Sequence, residues 1–257
     1  MRKDKAKQRS RYYLAVLLVL FVAAWQALAD KGMINLLFFS SPRQVWGDLA
    51  EMFSTGYLFP HIGVTLYAAA AGLFYGIVLG ILTAFVVGNN RVLAYILEPI
   101  FVGINGLPLL ALGPLFVVWF GIGVKSKIFM ATISVFFLVF FNVYAGFKNV
   151  DVQLIQTLKL MRANRLQIVT KLILPSCLPW LLASLKAGVG AAVLGAIVGE
   201  YLGSTAGLGW VIQTAGGYYN ITRVIACVIV LMVVMYLLNA LVSWIDRVVL
   251  KWRPSID

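Results

Sequence analysis

The sequence predicts an all-α integral membrane protein with about six transmembrane helices. Of its 257 residues, 62% are hydrophobic and only 12% are charged, whereas soluble proteins are about 45–50% apolar and about 25% charged. The apolar residues also gather in stretches of about 20, the length with which an α-helix crosses about 30 Å of hydrocarbon. These observations exclude a soluble globular domain.

Six stretches meet this length criterion, although Pro108 and Pro114 interrupt the third. They cover about residues 12–29, 61–88, 98–120, 128–147, 178–202 and 225–245. The first follows a basic leader and ends in Ala27-Leu28-Ala29, a combination that imitates a secretory signal peptide. Because its apolar part is longer than the about 7–15 residues of a signal peptide, we expect a retained anchor helix.

Lysine and arginine predict the orientation, because they are retained on the cytoplasmic side of a membrane. With the N-terminus inside, the inner segments hold fifteen of the 21 Lys and Arg, the outer segments hold five, and Lys186 lies within the fifth span. Both termini are therefore expected in the cytoplasm. The net charge of +12 predicts no nucleic-acid partner, since the positive residues are spread over four inner segments and form no single basic face.

This topology divides the chain into four segments. Residues 1–30 form a cytoplasmic leader and the first span, residues 31–60 an extracytoplasmic segment, residues 61–247 the main transmembrane domain, and residues 248–257 a cytoplasmic tail. In the extracytoplasmic segment, Pro42 is followed by apolar residues at helical spacing: Val45, Trp46, Leu49 and Met52. The spacing predicts a short amphipathic helix on the outer surface.

Small residues recur every four positions in the second and fifth spans. The series include Gly72, Gly76 and Gly80 in one helix, and Gly195, Gly199 and Gly203 in the other. Lipid offers no hydrophobic drive for helices to associate, so helices gain packing contacts by close backbone approach along such ridges. We expect these two helices to form the crowded interior of the bundle.

Three acidic or basic residues lie within the spans. Glu98 precedes Pro99 and is expected to cap the third helix at the inner interface. Lys186 and Glu200 are 14 positions apart and share a helix face within about 40°, so they could line an aqueous route. The alternative is that Lys186 extends to the inner interface and Glu200 to the outer one.

The sequence carries no recognisable catalytic, cofactor or metal site. Cys177 and Cys227 lie in apolar runs without metal-ligand spacing and are expected to pack as small hydrophobic residues. His61, the single histidine, is expected to be an interfacial polar residue. Phosphate-binding-loop, H-E-x-x-H and G-x-S-x-G patterns do not occur. We therefore expect no enzyme activity, cofactor or metal in this chain by itself.

Residues 148–177 form the only long polar stretch on the predicted cytoplasmic side. Asp151 can cap a helix with one apolar stripe, made of Leu154, Ile155, Leu158 and Met161. The opposite face carries Gln153, Gln156, Lys159 and Arg162. A turn near Ala163-Asn164 and a second short helix up to Leu174-Pro175 are expected to follow. The stripe needs a partner surface, either a groove in another protein or the lipid interface.

This stretch resembles the cytoplasmic loop of permease subunits of ATP-binding-cassette (ABC) importers. That loop has the signature Glu-Ala-Ala, three residues, Gly, nine residues, Ile, any residue, Leu-Pro. The frame falls here on Gln156-Thr157-Leu158, Arg162, Leu172 and Leu174-Pro175. The spacing and the Leu-Pro ending match, whereas the Glu, both Ala and the Gly are replaced.

Further motifs extend the resemblance over about residues 42 to 253. They are Phe120-Gly121-Ile122-Gly123 with Ser126-Lys127, Asn142 and Ala145-Gly146 before Val150-Asp151, and Gly199-Glu200-Tyr201-Leu202-Gly203 followed by Gly207-Leu208-Gly209. Together these motifs are similar to those of the type I importer permeases of the nitrate, sulfonate, taurine and bicarbonate group.

The resemblance implies the type I ABC importer permease fold and a multi-pass subunit of the bacterial cytoplasmic (inner) membrane. Residues 61–247 would be the ABC transmembrane type-1 domain. The chain would form half of a translocation pathway, as a homodimer with a second permease copy. Two cytoplasmic ATPase subunits would hold ATP and Mg, and an extracytoplasmic binding protein would deliver the solute, a small anion such as nitrate, a sulfonate, taurine or bicarbonate.

The resemblance also assigns residues 148–177 to ATPase coupling. The residues concerned are Asp151, Leu154, Ile155, Gln156, Leu158, Met161, Arg162, Leu174 and Pro175. We expect Leu158 and Met161 to enter a groove of the ATPase. Because Arg162 replaces a glycine that suits a tight turn, the left-handed residue of the turn is expected to shift to Asn164.

Two other classes of function compete with an importer permease. A self-sufficient channel or ion-coupled carrier would require buried ionisable pairs or interrupted helices, of which only Pro108 and Pro114 give a hint. A membrane-embedded enzyme would require a cluster of His, Cys or Asp residues, and the sequence contains none.

Overall fold

The computed structural model describes the backbone of residues 2–249 and the side chains of residues 12–244. In this part of the chain nearly every residue is helical and no β-strand forms. Residues 250–257 of the predicted cytoplasmic tail are not among the described residues. For the basic leader, the described residues include the side chains only from Tyr12 onward.

Twelve α-helices are described, and one π-helical turn, Val169–Ile173, lies between the ninth and tenth. The helices are α1 (Arg2–Asp30), α2 (Leu36–Phe39), α3 (Pro42–Ser54), α4 (Leu58–Asn89), α5 (Arg91–Asn105), α6 (Leu109–Phe120), α7 (Val124–Lys148), α8 (Val152–Leu160), α9 (Arg165–Ile168), α10 (Leu174–Leu202), α11 (Leu208–Gly217) and α12 (Ile221–Val249).

Five of the described helical stretches are long and apolar enough to cross a membrane, and the α5–α6 pair makes six if it counts as one span. The stretches are Tyr12–Asp30, Leu58–Asn89, Val124–Lys148, Arg165–Leu202 and Ile221–Trp244. This agrees with the all-α membrane fold and with the number of spans that hydropathy predicts.

The third predicted span, residues 98–120, requires correction. It consists of two helices, α5 and α6, whose axes differ by 99°. Pro108 has no backbone N–H, and it disfavours the helical conformation of the residue before it, Leu107. Helix α5 therefore ends before Leu107, and α6 begins after Pro108. Pro114 lies inside α6 and does not break that helix.

Glu98 does not cap the third predicted helix. Helix α5 begins seven residues earlier, at Arg91, and its N-cap is Asn90, whose side chain accepts hydrogen bonds from the first turn. Glu98 lies inside α5 and accepts hydrogen bonds from Lys148 instead.

The fifth span also begins earlier than expected. Residues Arg165–Leu202 form one helical stretch of 38 residues, in which Val169–Ile173 is π-helical. The second short helix of the polar segment therefore continues into the membrane and does not stop at Leu174-Pro175. In a regular α-helix the ring of Pro175 would clash with the carbonyl group one turn before it. The wider π-helical turn at Val169–Ile173 relieves this clash, so the helix can continue through Pro175.

The described chain divides into two compact units. The first contains the residues up to Phe59 together with Val211–Leu231. In it, Ser41 caps α3, and the predicted amphipathic helix is present, with Val45, Leu49 and Met52 buried. Trp46 is exposed instead of buried.

An ion pair fastens α3 to the start of α12 within this first unit. The Arg223 guanidinium donates to the Asp48 carboxylate at 2.7 Å from Nη2 and 3.2 Å from Nε. The hydroxyls of Ser40 and Thr222 are hydrogen-bonded at 2.8 Å. The paired geometry of the guanidinium holds the amphipathic helix in one orientation against α12.

The second unit contains Pro60–Trp210 and the chain from Met232 onward, and α7 lies at its centre. Twelve residues of α7 are buried, among them Ala131, Val135, Val139 and Phe140. Gly72, Gly76 and Gly80 of α4 and Gly195 and Gly199 of α10 face this helix, whereas Gly203 faces α6. The interior of the bundle therefore includes α7, which the small-residue pattern does not mark, together with the buried faces of α4 and α10.

The glycines allow the backbones to approach closely. A Cβ atom added to Gly76 would lie 2.5 Å from Val135 Cβ, and one added to Gly195 would lie 2.7 Å from Ala131 Cα. At Gly199 the corresponding distance to Lys127 Cα is 2.8 Å. Gly72 faces Ala131, Gly80 faces Val139 and Gly203 faces Val117 in the same way. Any larger residue would force the helices apart.

We predict that Gly195→Ala destabilises the protein by about 1–3 kcal/mol, because the new methyl group meets backbone atoms that cannot move independently. The midpoint of thermal unfolding of the detergent-solubilised protein measures this effect. Gly190→Ala is the matched control on the same helix, since a Cβ there touches only Met235, at 3.9 Å. Equal midpoints for the two variants would contradict the prediction.

Candidate functional site

Two regions of the second unit have the chemistry of a functional site. The first is residues 148–177, here called the coupling segment. The second, here called the polar cluster, consists of His61, Thr65, Lys127 and Glu200. All four residues of the polar cluster are buried, although they lie on three long apolar helices.

Helix α8 of the coupling segment begins at the predicted cap. The Asp151 carboxylate accepts a hydrogen bond from the Gln153 N–H at 2.8 Å. Asp is a favoured N-cap residue because its oxygen satisfies an N–H that has no partner within the helix, and its charge suits the helix N-terminus. The cap sets the start of α8 at Val152.

The end of α8 differs from the prediction. Arg162, not Asn164, adopts the left-handed conformation, with φ of 58°. The Ala163 N–H donates to Leu158 O and the Arg162 N–H to Lys159 O, which is the Schellman arrangement with Arg162 at the position that glycine usually occupies. Asn164 is extended instead, because its side chain caps α9 in a reciprocal capping box with Gln167.

The apolar stripe of α8 has two different environments. Ile155 and Leu158 are half-buried and pack on the chain's own core. Leu154, Leu160 and Met161 are exposed, with 74% of Met161 accessible. The predicted insertion of Leu158 into a partner is therefore limited by its contacts within this chain, and Met161 at the tip carries the exposed apolar surface.

Polar and charged side chains surround this exposed surface. Gln156 and Arg162 are exposed, and so are Lys159, Arg165 and Lys171. At the start of α10, Leu174 and Pro175 are exposed as well. The coupling segment thus presents an apolar tip with positive charges beside it.

Arg165 connects the coupling segment to α4. Its guanidinium Nη2 donates to the carbonyl oxygen of Asn89, the last residue of α4, at 2.6 Å. The final carbonyls of a helix have no partner within the helix and carry partial negative charge, so a cation there is favourable. The hydrogen bond therefore joins α9 to one end of α4.

The polar cluster lies at the other end of α4. Glu200 is only 1% exposed, and its carboxylate accepts a hydrogen bond from the Thr65 hydroxyl at 2.8 Å and from the Gly209 N–H at 2.8 Å. The Thr65 oxygen also accepts from the Leu208 N–H at 2.9 Å. Glu200 and Thr65 thus satisfy the unpaired N–H groups at the start of α11, where a negative charge is stabilised.

His61 and Lys127 hold the residues just before α11. The Gly207 N–H donates to His61 Nδ1 at 3.1 Å, and the Lys127 ammonium donates to Ala206 O at 2.8 Å. The imidazole stacks on the Trp210 ring with centroids 5.5 Å apart. Lys127 is 2% exposed, so its ammonium group lies in the interior of the protein.

Gly207 is required at this junction for two reasons. Its φ of +118° lies in the region that favours glycine, and a Cβ atom would overlap the Glu200 carboxylate. Four consecutive residues, 206–209, are thereby tied to α4, α7 and α10. The arrangement can hold the connection between α10 and α11 in place.

The structure separates the two residues that the sequence assigned to an aqueous route. Lys186 is exposed, whereas Glu200 is enclosed by Thr65 and the start of α11. The Glu200 carboxylate is buried with hydrogen-bond partners, as a buried charge requires, and a pathway role for it stays a prediction. A pathway role for Lys186 stays a prediction.

Sequence reasoning missed His61, Thr65 and Lys127 as members of this site. Ser126-Lys127 and Gly207-Leu208-Gly209 appeared only as parts of motifs, without a stated role. The repeated glycines beside a buried Glu gave a signal of close approach, but no local pattern indicates that four distant segments meet. Among the described residues, no group of three or more His, Cys, Asp or Glu could hold a metal ion.

We predict that Thr65→Val lowers the free energy of unfolding by about 1–3 kcal/mol, because the change leaves the Leu208 N–H without its acceptor and removes a donor from Glu200. Thermal unfolding of the purified protein gives the effect. Thr132→Val is the matched control, since the Thr132 hydroxyl donates only to Ile128 O of its own helix. The expectation fails if both variants unfold at the same temperature.

Known proteins are similar in sequence to this chain. Residues 76–251 match the family described as the inner membrane component of binding-protein-dependent transport systems. A Bacillus subtilis (strain 168) protein, named as the aliphatic sulfonates transport permease SsuC, is 30% identical over all of this chain and 94% of its own length. The taurine transport system permease protein TauC of Escherichia coli (strain K12) is 30% identical over 93% of this chain and 89% of its own length.

A solved structure shares the fold. An inward-facing conformation of the MetNI methionine ABC transporter matches 75% of this chain and 95% of its own with a TM-score of 0.64 at 24% identity. The family match over residues 76–251 covers more than half of the chain, and the relatives extend along nearly all of it. The chain therefore belongs to the family of inner-membrane permease components of binding-protein-dependent transport systems, in the group that includes aliphatic sulfonate and taurine permeases.

Proposed function

We propose that this ABC importer permease subunit forms half of a pathway for a small anion, in a homodimer, and that residues 148–177 couple it to the cytoplasmic ATPase subunits. The observation that carries the proposal is the exposed apolar tip of α8, centred on Met161 and flanked by positive charges. Such a tip fits an apolar groove with an acidic rim in a partner protein.

ATP and Mg²⁺ would bind to the ATPase subunits. The permease has no phosphate-binding loop, so its contribution would be mechanical. A movement of α8 and α9 would act through Arg165 on the end of α4 at Asn89. Helix α4 has 32 residues and would carry this movement over about 48 Å to His61 and Thr65 near its other end.

At that other end, the polar cluster would set the position of the connection between α10 and α11. By the predicted orientation this is the extracytoplasmic side, where a solute-binding protein would deliver the solute. The cluster would hold the connection in one arrangement and release it in another, which is the behaviour of a two-state element.

A self-sufficient channel or ion-coupled carrier remains the alternative function. The broken α5–α6 helix and the buried Lys127 and Glu200 are features that such a carrier uses. Here, however, the Lys127 ammonium donates to the Ala206 carbonyl, and the Glu200 carboxylate accepts from Thr65 and Gly209, so both groups have partners within the chain. Membership of a family of binding-protein-dependent permeases favours the ATP-driven mechanism.

The solute is proposed from the relatives. The two permeases that are 30% identical are named for aliphatic sulfonates and for taurine, which are small anionic or zwitterionic sulfonates. Binding by the partner solute-binding protein, measured by thermal shift across sulfonates, taurine, nitrate and bicarbonate, tests this class. Stabilisation by none of these solutes would exclude it without affecting the permease function.

We predict that Met161→Asp reduces solute-stimulated ATPase activity of the reconstituted transporter by more than about tenfold, because a carboxylate is costly to bury in an apolar groove. Met161 is exposed, so the variant should still fold and insert. Gln153→Asp is the control, since it adds the same charge at the start of α8, about two turns away from Met161. Unchanged stimulation in Met161→Asp would exclude insertion of this tip.

We predict that Arg165→Ala lowers solute-stimulated ATP hydrolysis several-fold beyond any loss of ATPase binding, because the link to Asn89 is lost. Co-purification with the ATPase subunits and the stimulated hydrolysis rate separate the two effects. Lys171→Ala, which removes another exposed cation from the coupling segment, is the control. If both variants hydrolyse ATP at the wild-type stimulated rate, the contact with α4 does not transmit movement.

A further inference from the structure

We propose that a cavity formed by α4, α5 and α7 binds the phosphate-bearing headgroup of an anionic membrane lipid. The cavity has a volume of about 480 Å³, and its lining includes Arg91, Glu98, Tyr144 and Lys148. The surrounding wall is apolar at Ala94 and Phe147. Lys148 is the first residue of the coupling segment, and the polar cluster contributes nothing to the lining of this cavity.

Within the cavity, Lys148 and Glu98 compensate each other's charge, so Arg91 is the charged residue that can bind a ligand. The Lys148 ammonium donates to both carboxylate oxygens of Glu98, at 2.7 and 2.9 Å, and the Tyr144 hydroxyl donates to the same carboxylate at 3.0 Å. This pair is neutral as a whole. Among the side chains that the structure describes, Arg91 has neither an ion pair nor a hydrogen bond, so the cavity carries one uncompensated positive charge.

A guanidinium with free N–H groups favours an oxyanion. Its planar donors match two oxygens of one phosphate group, and this geometry makes arginine a frequent phosphate ligand. Lys148 lies on the same cavity wall, 4.6 Å from the centre of the Tyr144 ring. Because Glu98 compensates the charge of Lys148, Arg91 supplies the net positive charge of the cavity.

The apolar surface beside the cavity distinguishes a lipid from a free anion. Helix α5 has an exposed stripe at helical spacing, made of Val92, Tyr95, Ile96 and Ile100. Tyr95, of which 84% is exposed, belongs both to this stripe and to the cavity lining. An amphiphile would place its phosphate against Arg91 and its acyl chains along the stripe, whereas a small inorganic anion would use only the first contact.

The position of the cavity also suits a lipid headgroup. It lies where α4 and α7 end and α5 begins, on the side that the charge distribution predicts to be cytoplasmic. Basic pockets between transmembrane helices on that side bind anionic headgroups, because the cytoplasmic leaflet carries negative lipids. Tyrosine is also frequent at this depth of the bilayer.

Native mass spectrometry of the purified permease with its ATPase subunits tests the proposal. Phosphatidylglycerol and phosphatidylcholine, which differ in headgroup charge but share acyl chains, are added at equal concentrations. We expect wild-type protein to retain phosphatidylglycerol preferentially. In Arg91→Gln this preference should fall by about fivefold, the contribution expected for one cation near a membrane surface. Lys171→Gln is the control, because Lys171 is a cation on the predicted cytoplasmic side that does not line the cavity. This variant should keep the preference for phosphatidylglycerol.

Three outcomes would overturn the proposal. Equal retention of both lipids by the wild-type protein, which requires no variant, excludes a headgroup site. An equal loss in Arg91→Gln and Lys171→Gln indicates general surface electrostatics. Displacement of phosphatidylglycerol by millimolar inorganic phosphate, or by the transported anion, identifies a free anion as the ligand. The melting temperature of Arg91→Gln verifies its folding, and Tyr95→Ala, which weakens the acyl-chain contact, provides a second variant.

Discussion

Close contact between the backbones of α4, α7 and α10 is the constraint on which the second unit depends. Gly76 of α4 and Gly195 of α10 lie against α7 at distances where a Cβ atom would collide with Val135 and Ala131. Dispersion contacts between such surfaces replace the hydrophobic drive that a membrane does not provide. The same closeness brings residues from all three helices to the start of α11, so the polar cluster depends on the glycines.

Burial of charge explains why the polar cluster has its composition. Glu200 and Lys127 lie away from water, where an unpaired charge is costly. Each therefore has backbone partners in the connection between α10 and α11: the carboxylate accepts from Gly209, and the ammonium donates to Ala206. Because these partners lie in one short segment, the charges and the position of that segment stabilise each other.

Local sequence signals predicted a large part of the fold and of the coupling segment. Hydropathy located the spans, since crossing the hydrocarbon layer demands long apolar helices. Asp151 begins α8 as its residue type predicts. The left-handed residue was assigned to Asn164 because Asn tolerates this conformation more readily than Arg. Asn164 is needed as the cap of α9, however, and Arg162 takes the left-handed position.

The sequence by itself determined the membrane-spanning helical class, the approximate spans, the small-residue ridges and the family to which the chain belongs. These features depend on composition, on periodicity and on motifs within short stretches. Only the tertiary structure decided that α7 is the centre of the bundle, that Glu200 faces α11 and not water, and that Arg165 contacts α4. The partner of a buried side chain is set by segments far apart in the chain, and periodicity within one helix contains no information about which segments meet.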